Sequence, residues 1–173
     1  EVLLGDRLGA VAHLVADDLA RRLRDHEGQL GVLVGALVVR VRNTLEQAAA
    51  WEPEQIVISL DTYRDRRTAY TFSVTPAGVR MDYYHATDSE GDRDSDWNPV
   101  WDVRTGRFDG GWTVEMAIPF KSIRYRSGTS QVWGINIRRV IRRRNEWTHL
   151  TPIPAAAGVP GGMFRLSNAG TLA

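Results

Sequence analysis

The chain has 173 residues, 43% of them hydrophobic and 25% charged, with a formal net charge of +1. That length can bury one full core, and the near-neutral balance gives no global field to draw in nucleic acid or an acidic membrane. The absence of cysteine excludes disulfides, thiolate metal sites and cysteine nucleophiles together, and no apolar run is long enough to cross a bilayer as a helix.

The opening residues EVLLGDRLGA lack the basic start and small-residue cleavage site of a signal peptide. From Leu8 to Arg24 the apolar residues Leu8, Val11, Ala12, Leu14, Val15, Leu19 and Leu23 recur at helical spacing, which predicts an amphipathic helix. The following QLGVLVGALVVRVR reads equally as one or two buried strands or as a short apolar helix. Asn43 is placed to cap a short helix over Thr44–Ala50, and Trp51-Glu52-Pro53 is a break. Residues 1–53 are therefore expected to form a divergent segment ahead of a second unit, 54–173.

From Glu54 the pattern has the period of a strand. Ile56, Ile58 and Leu60 alternate with Val57, Ser59 and Asp61; Tyr70, Phe72 and Val74 alternate with Thr71 and Ser73. Thr75-Pro76-Ala77-Gly78 is a turn, and Val79, Met81 and Tyr83 are expected on the apolar side of the returning strand, with Arg80, Asp82 and Tyr84 on a wet side. The acidic loop HATDSEGDRDSD leads to Trp97–Val103. In Trp112–Phe120 the residues Trp112, Val114, Met116, Ile118 and Phe120 face inward. Val132–Arg142 is expected to pair with that strand, bringing Glu115 opposite Arg138. Trp147–Ile153 and Met163–Leu166 are predicted as short final strands. Short strands with regular turn signals indicate a sandwich or barrel.

Several runs in this half, in order, resemble a known family. They are Ile56-Val57-Ile58-Ser59-Leu60-Asp61-Thr62, Asp65-Arg66-Arg67-Thr68-Ala69-Tyr70, Trp97-Asn98-Pro99-Val100-Trp101, GWTVEMAIPF over 111–120, WGINIRR over 133–139, Glu146-Trp147, Gly162-Met163-Phe164-Arg165 and Gly170-Thr171-Leu172. The set resembles the family 9 carbohydrate-binding-module-like domain, in the version found at the front of bacterial outer-membrane barrel proteins. The resemblance implies a mainly β fold, an antiparallel, jelly-roll-like β-sandwich; the N-terminal helical segment read above from periodicity is extra to that pattern. It also implies export to the periplasm or cell surface, a saccharide or glycan as partner, and a barrel following in a longer protein of which this chain is a piece.

Four constellations carry possible chemistry. The aromatic set Tyr83, Tyr84, Trp97, Trp101 and Trp147 offers flat, polarisable area to the apolar faces of sugar rings. On an extended strand Trp97 and Trp101 would share a face about 13 Å apart, with Asn98, Asp102 and Arg104 beside them as hydroxyl partners; Tyr84 completes the expected ligand-binding set. The alternative is that both indoles are core. Second, Asp88, Glu90 and Asp92, with Asp94 and Asp96, have the hard oxygen donors that calcium takes, but not EF-hand spacing, and a solvated acidic loop is the plainer reading. Third, Arg138, Arg139, Arg142, Arg143 and Arg144 have the charge to grip phosphates, yet lie on a core strand, so nucleic acid is not the expected partner. Fourth, Asp61, Asp82, Asp102 and Glu115 show no spacing that selects a glycosidase pair, and His13, His26, His85 and His149 show no metal spacing.

The chain is thus expected to be a non-catalytic sugar-binding module without an obligate cofactor. A docking domain on an outer-membrane barrel, without sugar binding, is the alternative, and a glycoside hydrolase is a distant third.

Overall fold

The structure, a computed structural model, describes residues 2–4, 12–14, 36–44, 54–89, 91–128, 130–157 and 161–172. Strands dominate them: β1 Val2–Leu4, β2 Ala12–Leu14, β3 Ala36–Thr44, β4 Gln55–Asp61, β5 Ala69–Val74, β6 Arg80–His85, β7 Arg93–Asp94, β8 Asp102–Phe108, β9 Gly111–Pro119, β10 Trp133–Ile141, β11 Glu146–His149 and β12 Gly170–Leu172. They form two antiparallel sheets. One has the order β1-β2-β3-β9-β8; the other runs β11-β10-β4-β5-β6-β7, with β12 sharing the outer edge of β10 with β11.

The period-2 pattern explains the core. Ile56, Ile58, Leu60, Tyr70, Phe72, Val74, Trp133, Ile135 and Ile137 from the larger sheet meet Trp112, Val114, Met116 and Ile118 from the smaller one in a single buried cluster. An antiparallel β-sandwich is what forms, and its smaller sheet takes in β3, from ahead of residue 54. Trp112 is fully buried and its indole N–H donates to Glu54 Oε1 at 2.9 Å, a polar stitch between β9 and the start of β4.

The larger sheet is buried on its other face too. Every residue of β4, β5 and β10 is buried, because the segment after β11 folds back across the sheet and sets Met163 and Phe164 on Val57. The polar residues beneath it bond to one another: Ser59 to Thr71 at 2.8 Å and Ser73 to Gln55 at 2.6 Å. Such pairing is what permits hydroxyls in a dry layer.

Several expectations are corrected. The hairpin faces are inverted on β6: the register sets Tyr84 opposite Tyr70, Asp82 opposite Phe72 and Arg80 opposite Val74, so the residues expected on the wet side lie over the core. The turn fixes this, with Thr75 N–H donating to the Val79 carbonyl and Gly78 at φ 81. β9 and β10 do not pair. They sit in opposite sheets, and Glu115 faces Arg104 on β8 and Arg40 on β3 rather than Arg138. Residues 161–164 and 166–168 are 3-10 turns, not a strand, because they cover a sheet face instead of extending an edge.

The apolar run before Trp51 is a strand over Ala36–Thr44, in register with β9. The helix expected over Leu8–Arg24 lies outside the described residues except at Ala12–Leu14, which run as β2 against Val39–Val41. Of the short helix over Thr44–Ala50, Thr44 closes β3 and the remainder lies outside the described residues.

Candidate functional site

The register brings three connections to one end of the sandwich. β4 ends and β10 begins there, since Asp61 pairs with Gly134; β5 begins and β6 ends there, since Ala69 pairs with His85. Side chains then tie the connections together. Thr62 Oγ1 donates to the Arg124 carbonyl, the Arg124 N–H donates to the Tyr70 hydroxyl at 3.3 Å, and Ser122 Oγ donates to the Val100 carbonyl. Loops gathered at one end of a rigid sandwich are where such folds carry recognition.

That end is lined with aromatic rings. Tyr70, almost fully buried, is flanked by Tyr84 at 5.4 Å and Trp97 at 4.9 Å between ring centroids. Trp97 and Tyr84 are half-buried, packed on the core yet part open to solvent. Exposed Asn98, Asp94 and Asp96 stand next to them in the chain or across the β6–β7 pairing. A second group, Phe120, Tyr125 and Trp133, has centroid separations of 5.2 to 6.0 Å. Trp133 is sealed, whereas Tyr125 is 37% exposed. Burial holds the Tyr70 hydroxyl above its ordinary titration range, against the opposing pull of the Arg124 amide.

Of the six residues expected to hold a ligand, this end gathers Trp97, Tyr84 and Asn98. Trp101 is not available. It is 3% exposed, its indole edge-on to Phe72 at 5.1 Å, its N–H donating to Asp82 Oδ1 at 3.0 Å and the Arg80 guanidinium 5.6 Å from its ring. An indole so enclosed has no face left for a sugar. Asp102 and Arg104 are exposed but sit opposite Ala117 and Glu115, on the alternation of β9 that points away from the core, so they turn from Trp97.

The acidic loop does not assemble a cation site among the described residues, where no three His, Asp or Glu side chains converge. Asp88 accepts both the Ser167 N–H at 3.2 Å and its hydroxyl at 2.7 Å; Asp92 is exposed, and Glu90 lies outside the described residues. Arg138 and Arg139 are buried, and the Arg138 guanidinium lies 5.5 Å from the Phe164 ring, so these two are not open to a phosphate; Arg142 is half-buried and Arg144 exposed. The candidate catalytic carboxylates divide between the two sheets. Asp61 and Asp82 serve the larger sheet, and Asp102 and Glu115 lie on the far side of the smaller one.

Strand periodicity does not point to Tyr63, Tyr125 or the arginines around them, because they lie in loops. The available signal was composition: TYRDRRT and KSIRYR are both basic and tyrosine-bearing.

The backbone arrangement has solved counterparts. A family 9 carbohydrate-binding module from Caldicellulosiruptor kristjanssonii, in complex with glucose, superposes with a TM-score of 0.54 over 79% of this chain and 69% of its own, at 14% identity. The fold is family 9-like. A candidate carbohydrate-binding protein from Bacteroides uniformis ATCC 8492 superposes with a TM-score of 0.53 at 18% identity, over 79% of this chain and 71% of its own. No family model and no curated protein matches the sequence.

Proposed function

We propose that this family 9-like domain is a non-catalytic carbohydrate-binding module that holds a saccharide at the loop end of the sandwich. Trp97 and Tyr84 supply the ring platform and Asn98 a planar amide for sugar hydroxyls. The observation that carries the reading is Trp97 itself, tilted on Tyr70 at 4.9 Å and left part open beside exposed Asn98. Burying apolar ring area against a sugar contributes about 25 cal/mol per Å², and the amide then sets orientation. The glucose held by the Caldicellulosiruptor module supports the ligand class. The engagement of Asp61 by the Asp65 and Arg66 amides and of Asp82 by the Trp101 indole, with Asp102 and Glu115 facing away from the core, supports a role without hydrolysis. We place the domain in the periplasm or at the cell surface, ahead of an outer-membrane barrel.

The test is calorimetric titration with glucose, cellotriose and a panel of other oligosaccharides. Trp97→Ala is expected to weaken binding about tenfold or more, while Trp101→Phe, which keeps an aromatic ring in the core, leaves it within twofold. Binding that survives loss of both Trp97 and Tyr84 removes the site. The burial of Trp101, one of two anchors the sequence suggested, favours a second reading in which the sandwich docks on its barrel and holds no sugar. A panel without any binding saccharide selects that reading.

A further inference from the structure

Two of the three loops at this end also concentrate positive charge, in a way the whole chain does not. Residues 62–68 and 120–132 carry Arg64, Arg66, Arg67, Lys121, Arg124 and Arg126 against a single carboxylate, Asp65, in a chain whose net charge is only +1. All six cations are exposed. The loops are held together by Thr62 Oγ1 on the Arg124 carbonyl and by the Arg124 amide on Tyr70, so the charges share one corner.

Asp65 offsets one of these six charges and is tied to its own loop. Its Oδ1 accepts the Arg67 and Thr68 amides at 2.8 Å each, and its Oδ2 accepts the Thr68 hydroxyl at 2.9 Å. Burial pushes its pKa up, but these bonds and the Arg67 charge outweigh that and hold it below the ordinary carboxylate value. The acidic connection after β6 is the third at this end: Asp94 lies opposite Tyr84 and Asp88 is bonded to Ser167, and the basic corner is built by the other two.

The loop is also built, not slack. Arg64 and Arg66 stand at φ 51 and 58, in the left-handed region, where a residue with a Cβ costs about 1 kcal/mol or more relative to relaxed backbone. The buried Asp61 carboxylate holds them there, accepting the Asp65 amide at 3.1 Å and the Arg66 amide at 2.8 Å. Glycine or asparagine would take this backbone with less strain; arginine adds a forked, permanently charged donor suited to carboxylate, sulfate and phosphate oxygens. Half-buried Tyr63 and exposed Tyr125 stand between the charges in sequence. Tyr125 rests on Phe120 and Trp133 and can cover one sugar ring.

We propose that this corner selects an anionic saccharide, one whose rings bear carboxylate, sulfate or phosphate groups. The inference rests on the sugar-binding reading above and narrows it to a charged ligand. A nucleic acid would bring the same anions, but one open tyrosine ring is a poor platform for a run of stacked bases.

The experiment compares trigalacturonate with cellotriose, of equal length, by titration calorimetry on the full chain. The uronate is expected to bind about tenfold tighter, the worth of a charge-assisted hydrogen bond, with the advantage shrinking as salt rises. Arg67→Gln with Arg124→Gln and Arg126→Gln should erase the advantage, with unchanged far-ultraviolet dichroism and thermal midpoint showing that the fold is intact. Arg107→Gln, an exposed cation at the opposite end of β8, should not. Glucose 6-phosphate and glucose 6-sulfate arms identify which anion is preferred. Equal affinity for both trisaccharides overturns the proposal and leaves sugar binding standing. An oligothymidylate that binds as tightly as trigalacturonate also overturns it, reducing the corner to unselective charge. Failure of all saccharides, charged and neutral, removes both readings.

Discussion

Trp97 and Trp101 lie four residues apart on one segment and have opposite fates. Trp101 faces the core, where Asp82 takes its indole N–H, Arg80 donates to its carbonyl at 2.6 Å and Phe72 closes the edge. Trp97 finds Tyr70 and Phe72 on one side only, and part of its ring stays in solvent. The difference teaches that a tryptophan's role on a sandwich loop is decided by the strand beneath it. Asp82, on β6, supplies the acceptor that lets Trp101 be sealed without an orphaned donor.

The contrast between sealed interior and open end can be broken most strongly at Trp112, fully buried between the sheets. Trp112→Ala is expected to cost about 3–5 kcal/mol of stability, read from a urea denaturation midpoint. A shift of only a few tenths would contradict the shared core. Next comes Asp82→Ala, which strands the Trp101 N–H and should cost about 1–3 kcal/mol; Asp82→Asn keeps an acceptor and should recover much of it in the same measurement.

A smaller effect tests the covered outer face. His85 is fully buried, stacked on Phe164 at 5.0 Å, with neither ring nitrogen in a well-formed hydrogen bond among the described residues. Burial lowers its pKa from 6.5; the Ser89 backbone and Asp92 pull the other way, and Arg93 adds to the lowering. The folded chain therefore takes up a proton less readily than the unfolded one. This stability is fully present above about pH 6.5 and is lost as the pH falls below it. His149, lowered by burial and by Arg138, acts in the same direction. The thermal midpoint should drop between pH 7.5 and 5, and less steeply in His85→Phe; an identical slope in that variant would acquit His85. The smallest stability effect is at the open end. Asn98→Ala, at an exposed position, should move stability by no more than about 0.5 kcal/mol while weakening saccharide binding severalfold, so binding equal to wild type would take Asn98 out of the site.

The strands were legible because Ile56–Leu60 and Trp112–Ile118 alternate cleanly. Their partners were not. In a sandwich, consecutive strands such as β9 and β10 can cross to opposite sheets, and alternation says nothing about which. The face of β6 was misread because Met81 and Tyr83 look as apolar as Tyr84. With Met81, Asp82, Tyr83 and Tyr84 all half-buried, the two faces show no contrast in burial, and the turn register decides. At the candidate site, the aromatic-plus-amide pattern marked Trp97, Asn98 and Tyr84. Trp101 could not be separated from them, because its burial depends on Asp82, nineteen positions earlier, across a contact no local window contains. The strained arginine loop was equally hidden, since left-handed backbone at Arg64 and Arg66 leaves no mark in residues that usually avoid it.

Asp61 gives that loop a property beyond its shape. Fixing the backbone of one residue costs about 1–2 kcal/mol in entropy, and for Asp65 and Arg66 that ordering is already done by a carboxylate rooted in β4. An arriving anion need not freeze the main chain to be recognised. Asp61→Ala should leave every guanidinium in place by composition and still weaken capture, because the donors would have to be arranged anew at each encounter.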